Sequence, residues 1–200
     1  MFDESFTNQL KSWNEKTSLE KIKFNRGIER ETLRVSHDGS ISKRPHPTSL
    51  GSALTNTYIT TDFAEALIEL VTPKFDNVDD LYSCLQDLHV FTAQNIDEDE
   101  CLWAYSMPCR IEKESDINIA NYGSNDSGML KHIYRKGLKA RYGSIMQCVS
   151  GIHYNFSIDE KSYSNLLGAD YSQDMVDSLY LDLIRNFKRN FWFILAQLGA

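Results

Sequence analysis

Arg26-Gly-Ile-Glu-Arg-Glu-Thr-Leu-Arg-Val35 decides how the chain folds, because it sets Glu29 and Glu31 two residues apart within a run of strand-forming residues. Successive side chains on a strand point to opposite faces, so both carboxylates share a face, which Leu33 and Val35 continue. Such a face passes from a polar pocket into a core. Two neighbouring carboxylates in a partly dry site repel each other until one takes a proton or a divalent cation joins them. Taken alone, an E-x-E pair is more often a solvated edge on which Glu29, Arg30, Glu31 and Arg34 are ordinary surface charges. The rest of the chain must decide.

Two hundred residues, 42% hydrophobic and 12% aromatic, suffice for one domain with a sizeable core, and no repeat or linker divides residues 1–200. The balance of 21 basic and 28 acidic residues, a net charge of −7, argues against a nucleic-acid or anionic-membrane surface. No basic leader with an apolar core opens the sequence and no apolar run reaches a membrane span, so a cytoplasmic location is expected. The cysteines, at spacings of 17, 8 and 39, form no C-x-x-C pair and are expected to be reduced and mostly packed.

Phe6, Leu10 and Trp13 predict a short amphipathic helix over about 4–15. His37-Asp-Gly-Ser40 is a hairpin signal with a return strand at Ile41, and Pro45 and Pro47 keep the next stretch extended. The stretch from Tyr58 to Pro73 contains Asp62, Glu65 and Glu69 among apolar residues. As a helix it would present its acids to solvent. As a strand, Leu67–Thr72 would bury Glu69, which would then need a partner. The β-branched run ending in Thr-Pro favours the strand, and Asp62 reaches the same site as Glu69 only across a bulge or bend. Asp76 and Asn77 cap a predicted helix over about 78–95, with Val78, Leu81, Leu85 and Leu88 as its buried stripe and His89 as a structural residue. The aromatic segment Trp103–Pro108 is expected to pack.

A turn-rich loop, Tyr122–Gly128, leads into a predicted helix over about 128–141 that carries Lys131, Arg135, Lys136, Lys139 and Arg141. This basic element is either a solvated face or a cationic wall for phosphate or carboxylate. Ser144–Ser157 alternates and predicts a strand with Met146, Cys148, Ser150, Ile152, Tyr154 and Phe156 packed. Gln147, Val149, Gly151, His153 and Asn155 would then face a site floor. Tyr171 to Leu198 predicts a long helix. Its crowded Phe187, Phe191, Trp192, Phe193, Ile194 and Leu195 exceed one stripe, and an apolar face is expected to stay bare if the chain is part of a longer protein.

RGIERETLRV at 26–35, TTDFAEALIELVTP at 60–73, YSMPC at 105–109, and the run from NYGSNDSG at 121–128 through YRKGLKARYGSIMQCVSGIHYNFS at 134–157 together resemble the bacterial glutamate–cysteine ligase family. The resemblance implies an α+β fold whose largely antiparallel sheet, packed with helices, is related to the catalytic sheet of glutamine synthetase. It implies ATP as co-substrate, two or more Mg2+ ions, and a gamma-glutamyl phosphate attacked by the amine of cysteine, the first step of glutathione synthesis. Carried over position by position, Glu29, Glu31, Asp62 and Glu69 match metal ligands and His153 a histidine at the same cluster. Arg135 matches a catalytic arginine that meets the transferred phosphate, Phe63, Tyr134 and Leu138 match the cysteine pocket, and in such a site Gln147 is a candidate substrate contact and Asn155 a candidate ATP contact. Chains of the family are longer, and their later part supplies a further metal-binding glutamate. These 200 residues are therefore expected to be an N-terminal portion of the catalytic domain and inactive alone. The alternatives are a related ligase with another amine acceptor and a non-catalytic fragment.

Overall fold

The alternation around Glu29 and Glu31 becomes β1, Phe24–Ser36, the strand on which the sheet is assembled. The computed structural model describes residues 22–199 together with Asn8 and Lys11; apart from these two, the helix predicted over 4–15 lies outside the described residues. Two compact units make up the described chain, residues 25–156 and residues 22–24 with 157–199.

In the larger unit β1 is followed by β2 (Ile59–Thr61), β3 (Leu67–Val71), helix α1 (Val78–Gln94), β4 (Glu100–Leu102), helix α2 (Asp126–Tyr142) and β5, which begins at Ile152 and ends at Ile158. The sheet order is β2-β3-β1-β4, and β5 also pairs with β1. β1 and β3 run antiparallel with Glu29 opposite Val71, Glu31 opposite Glu69 and Leu33 opposite Leu67. Gly39, at φ 79°, makes the tight turn that returns Ile41 to Val35, as Asp-Gly predicts.

Alternate residues of β1 face opposite ways, so the sheet has two unlike faces. On one, Leu33, Val35 and Leu67 join Phe63, Ala64, Ala66, Ile117 and Cys148 in a core. On the other, Leu50, Ile59, Ile68 and Leu70 receive Leu85 and Leu88 of α1. The Asn77 side chain caps α1 by accepting the Asp79 N–H at 2.8 Å.

Arg34, a surface charge in the simplest reading of the sequence, is fully buried. Its Nη1 donates to both oxygens of Glu100 at 3.1 and 2.8 Å. Its Nη2 donates to the carbonyls of Arg44, Pro45 and Glu65 at 2.8, 2.9 and 3.1 Å. Ser42 Oγ also donates to Glu100. A buried ion pair persists when most of its remaining donors and acceptors are satisfied in this way; Arg34 Nε alone of the guanidinium's nitrogens has no partner among the described residues.

Three expectations are corrected. Ile145–Cys148 is a 3-10 turn rather than the start of a strand, so regular pairing begins at Ile152. Ile152, Tyr154 and Phe156, expected to be packed, are 62%, 57% and 42% exposed. Alternation fixes which side chains share a face, whereas covering that face takes a neighbouring layer, and the described residues supply none there. The Trp103–Pro108 segment leaves Tyr105 and Met107 exposed, because it turns on itself through the bond from Trp103 Nε1 to the Met107 carbonyl. Of the cysteines, all unpaired, Cys109 and Cys148 are buried, Cys84 is half-buried and Cys101 is exposed.

The smaller unit holds helices α3 (Tyr163–Leu167) and α4 (Gln173–Leu198). Tyr180 OH accepts the Ile158 N–H at 3.1 Å, and Val176 is buried. Phe187, Phe191, Trp192 and Phe193 of α4 are all exposed, and no helix among the described residues is long and apolar enough to cross a membrane.

Replacing Arg34 by Met leaves the buried Glu100 unpaired, and replacing Glu100 by Leu leaves Arg34 unpaired. Urea denaturation is expected to show a loss of about 3–5 kcal/mol for each single variant and a loss well below their sum for the double variant. Additive losses would mean that the two side chains act independently.

Candidate functional site

Three strands bring the acids together. Glu29 and Glu31 lie two apart on β1, and Glu69 of β3 stands directly across from Glu31. Asp62 arrives by the bend expected: the chain bends at Asp62 and Phe63 between β2 and β3, which are antiparallel neighbours, the Asp62 N–H donates to the Leu67 carbonyl at 3.0 Å, and the Leu67 N–H donates to the Ala64 carbonyl at 2.9 Å.

β5 closes the other side. The Glu31 N–H donates to the Gly151 carbonyl at 3.0 Å, and a Cβ on Gly27 would lie 3.7 Å from the Asn155 Cβ. These two meetings set β5 antiparallel to β1, with His153 opposite Glu29. Glu29 accordingly accepts from Asn155 Nδ2 at 2.8 Å, and its other oxygen lies 3.0 Å from His153 Nδ1. Gly151 donates its N–H to Glu31 Oε2 at 2.6 Å. A side chain at 151 would crowd that contact, since a Cβ there would sit 3.1 Å from His153 Nε2 and 3.4 Å from Glu31 Oε2.

The electrostatics follow from these positions. The Glu29 carboxyl titrates below its usual range because His153 and then Asn155 hydrogen-bond its charged form, and the same bond to Glu29 raises His153. Glu69 has no such donor. Burial first, then Asp62, Glu29 and Glu31, push it up to about 7.

Arg135 approaches from α2. Its Nε donates to the Asp62 carbonyl, its Nη2 stands 3.7 Å from Asp62 Oδ1, and its guanidinium lies 4.7 Å from the centre of the Tyr122 ring. Tyr122 donates its hydroxyl to the carbonyls of Thr61 and Asp62 at 2.6 and 2.9 Å. Glu29, Glu31, Asp62, Glu69, Arg135, His153 and Asn155 thus meet on one sheet face and its rim.

The other expected contacts are placed differently. Phe63 is 1% exposed and lies in the core, where Leu138 packs against the same cluster. Tyr134 is 58% exposed on α2, and Gln147 lies on the 3-10 turn that precedes β5. Among the described residues, no group of three or more His, Cys, Asp or Glu side chains is arranged to hold a metal ion: Glu29, Glu31 and Asp62 are turned toward protein donors. Sequence reasoning missed Tyr122, whose loop carries only turn signals. It also missed Glu65, whose buried carboxylate accepts the N–H groups of His46 and Asn121 at 2.6 Å each; an acid among apolar residues before a strand was the available signal.

The chain matches the glutamate–cysteine ligase family over residues 7–200. It is 46% identical to the glutamate–cysteine ligase of Erwinia tasmaniensis over 195 residues, 96% of this chain and 37% of that protein. It is 48% identical to that of Aliivibrio salmonicida over 178 residues, 88% of this chain and 34% of the relative. The chain therefore spans a little over a third of the length of the curated relatives it matches. A crystal structure of the Francisella tularensis glutamate–cysteine ligase in complex with AMP superposes with a TM-score of 0.80 at 44% identity, covering 86% of this chain and 34% of that one. A bifunctional glutathione synthetase from Pasteurella multocida gives 0.80 at 33% identity, covering 93% of this chain and 24% of that one. With a family match over residues 7–200 and, over 96% of its length, 46% identity to a relative, the chain belongs to the glutamate–cysteine ligase family.

Proposed function

We propose that this chain contributes the acid-lined sheet of a ligase that joins the side-chain carboxylate of L-glutamate to the amine of L-cysteine at the expense of ATP, through a gamma-glutamyl phosphate. The observation that carries the reading is the meeting of Glu29, Glu31, Asp62 and Glu69 with Arg135 on one side of the sheet, in a member of this family. The 200 residues are read as an N-terminal portion of the catalytic domain, working in the cytoplasm.

The donor set fits magnesium, which prefers carboxylate oxygens and retains waters and substrate phosphates. Glu69, dried and surrounded by three other acids, has the environment a divalent cation relieves. Glu29, Glu31, Asp62 and Glu69 would hold such ions; when bound, they neutralise the phosphates of ATP during transfer. His153 and Asn155 orient Glu29 through their hydrogen bonds and so act on the site from behind it, a more natural role for an imidazole beside a hard cation. Arg135, anchored to Asp62, steadies the transferred phosphoryl group. The exposed Tyr134 offers a surface for the acceptor amine, and Leu138 backs it. Phe63 reaches that region only through the core it shares with Leu138.

AMP in the Francisella tularensis structure supports a nucleotide site. The products distinguish the chemistry: with ATP, glutamate and a panel of amines, protein carrying this segment in a full ligase is expected to release ADP and phosphate, fastest with cysteine. AMP and pyrophosphate would overturn the acyl-phosphate reading, and equal rates across the panel would overturn cysteine as the acceptor. The 200-residue chain by itself is expected to bind magnesium without turnover.

Glu69 gives a pH signature. Its folded pKa of about 7 exceeds the ordinary 4.5, so the folded state holds this proton more tightly than the unfolded state does. The stability this gives is present below about 4.5 and is lost as pH rises toward 7. Thermal melts are expected to show Glu69→Gln stabilised relative to wild type at pH 8 but not at pH 4.5. Added magnesium should raise the wild-type melting temperature at pH 8 more than that of the variant. Parallel melting curves at both pH values would show that Glu69 is not held among its fellow acids.

A further inference from the structure

Lys131 and Arg135, one turn apart on α2, both stand over the ring of Tyr122, with the Lys131 ammonium 5.0 Å and the Arg135 guanidinium 4.7 Å from its centre. Two like charges gathered on one ring repel each other, and the electron-rich aromatic face offsets part of that cost. The ring itself cannot drift. Tyr122 is 5% exposed, and its hydroxyl is bonded to the carbonyls of Thr61 and Asp62, the residues where β2 ends and the acid cluster begins. Arg135 has Asp62 to balance its charge; Lys131 has no carboxylate partner among the described residues. The arrangement therefore holds one positive charge without a carboxylate partner over the same ring as a second cation that is tied to Asp62.

We propose that Tyr122 is a positioning residue that sets Lys131 and Arg135 as a two-cation grip for the phosphoryl group, with Lys131 supplying the second charge. The proposal rests on the ligase reading above and adds to it two residues that the family resemblance did not indicate. A single arginine neutralises only part of a transferred phosphoryl group. A lysine fixed one helical turn away doubles the local charge and meets a different oxygen, as a point charge suited to phosphate. The ring of Tyr122 carries both cations, so it is the ring that sets the spacing between them, while the hydroxyl's bonds to Thr61 and Asp62 serve stability.

Isothermal titration of the 200-residue chain with magnesium, and then with magnesium pyrophosphate, tests the grip. Lys131→Ala and Tyr122→Leu are each expected to weaken pyrophosphate binding by about two- to fivefold, the worth of one cation–π contact made by a solvent-exposed lysine. The double variant should bind no more weakly than Tyr122→Leu alone. Lys131→Arg and Tyr122→Phe, which keep the charge and the ring, should retain wild-type affinity, although Tyr122→Phe should melt earlier because two buried carbonyls lose their donor. Should Tyr122→Leu fail to fold, the contrast between Lys131→Ala and Lys131→Arg decides. Unchanged affinity in Lys131→Ala, or a loss in Tyr122→Phe equal to that in Tyr122→Leu, would overturn the proposal. Wild type that binds magnesium but not pyrophosphate would overturn the grip alone, and wild type that binds neither would overturn the ligase reading with it.

Discussion

The buried guanidinium of Arg34 is the constraint on which the larger unit depends. It meets Glu100 of β4, the carbonyls of Arg44 and Pro45, and the carbonyl of Glu65, so three separate stretches of chain converge on one planar, always-charged group. The turn between β2 and β3 is among them. That turn carries Asp62, and the neighbouring Glu65 ties it to His46 and Asn121 through both carboxylate oxygens. A fixed cation behind the sheet thus sets where an acid stands in front of it.

In front, the problem is reversed. Four carboxylates share one region, and the protein answers each differently: Glu29 with an imidazole and an amide, Glu31 with a backbone N–H, Asp62 with Arg135. Glu69 alone is left to desolvation and its neighbours' charges. Burying an ionised group without a partner is costly, and Glu69, beside three other acids, keeps its proton up to about pH 7. The other three acids each satisfy their own charge with a protein donor.

Much of this was legible in the sequence, for definite reasons. Period-two alternation placed Glu29, Glu31, Leu33 and Val35 on one face, and the β-branched run before Pro73 gave β3 with Glu69 inside it. Asn77 and the turn residues before Asp126 marked helix starts close to where they occur. What stayed hidden was long-range partnership. Arg34 reads like any strand arginine until Glu100, 66 residues later, is seen to meet it. Tyr122 sits in a loop whose glycines and asparagines announce only a turn. The packed face expected for β5 failed because alternation says nothing of what lies beyond the strand, and the strand expected at Ile145–Cys148 failed because a tight turn with an apolar-polar sequence shows the same short period as a strand.

The strict alternation along β1 has a consequence for how this segment can change. Glu29, Glu31, Leu33 and Val35 belong to one side, and Arg30, Thr32 and Arg34 to the other, with the cation side tied to fixed carbonyls and the acid side facing His153 and Gly151. The strand as a whole has a phase. Gaining or losing one residue between Ile28 and Arg34 would turn arginines toward the acid pocket and glutamates toward buried carbonyls at every position beyond it. The segment is thus closed to change in length, whereas the connections outside it, free of that two-residue beat, can accommodate insertions.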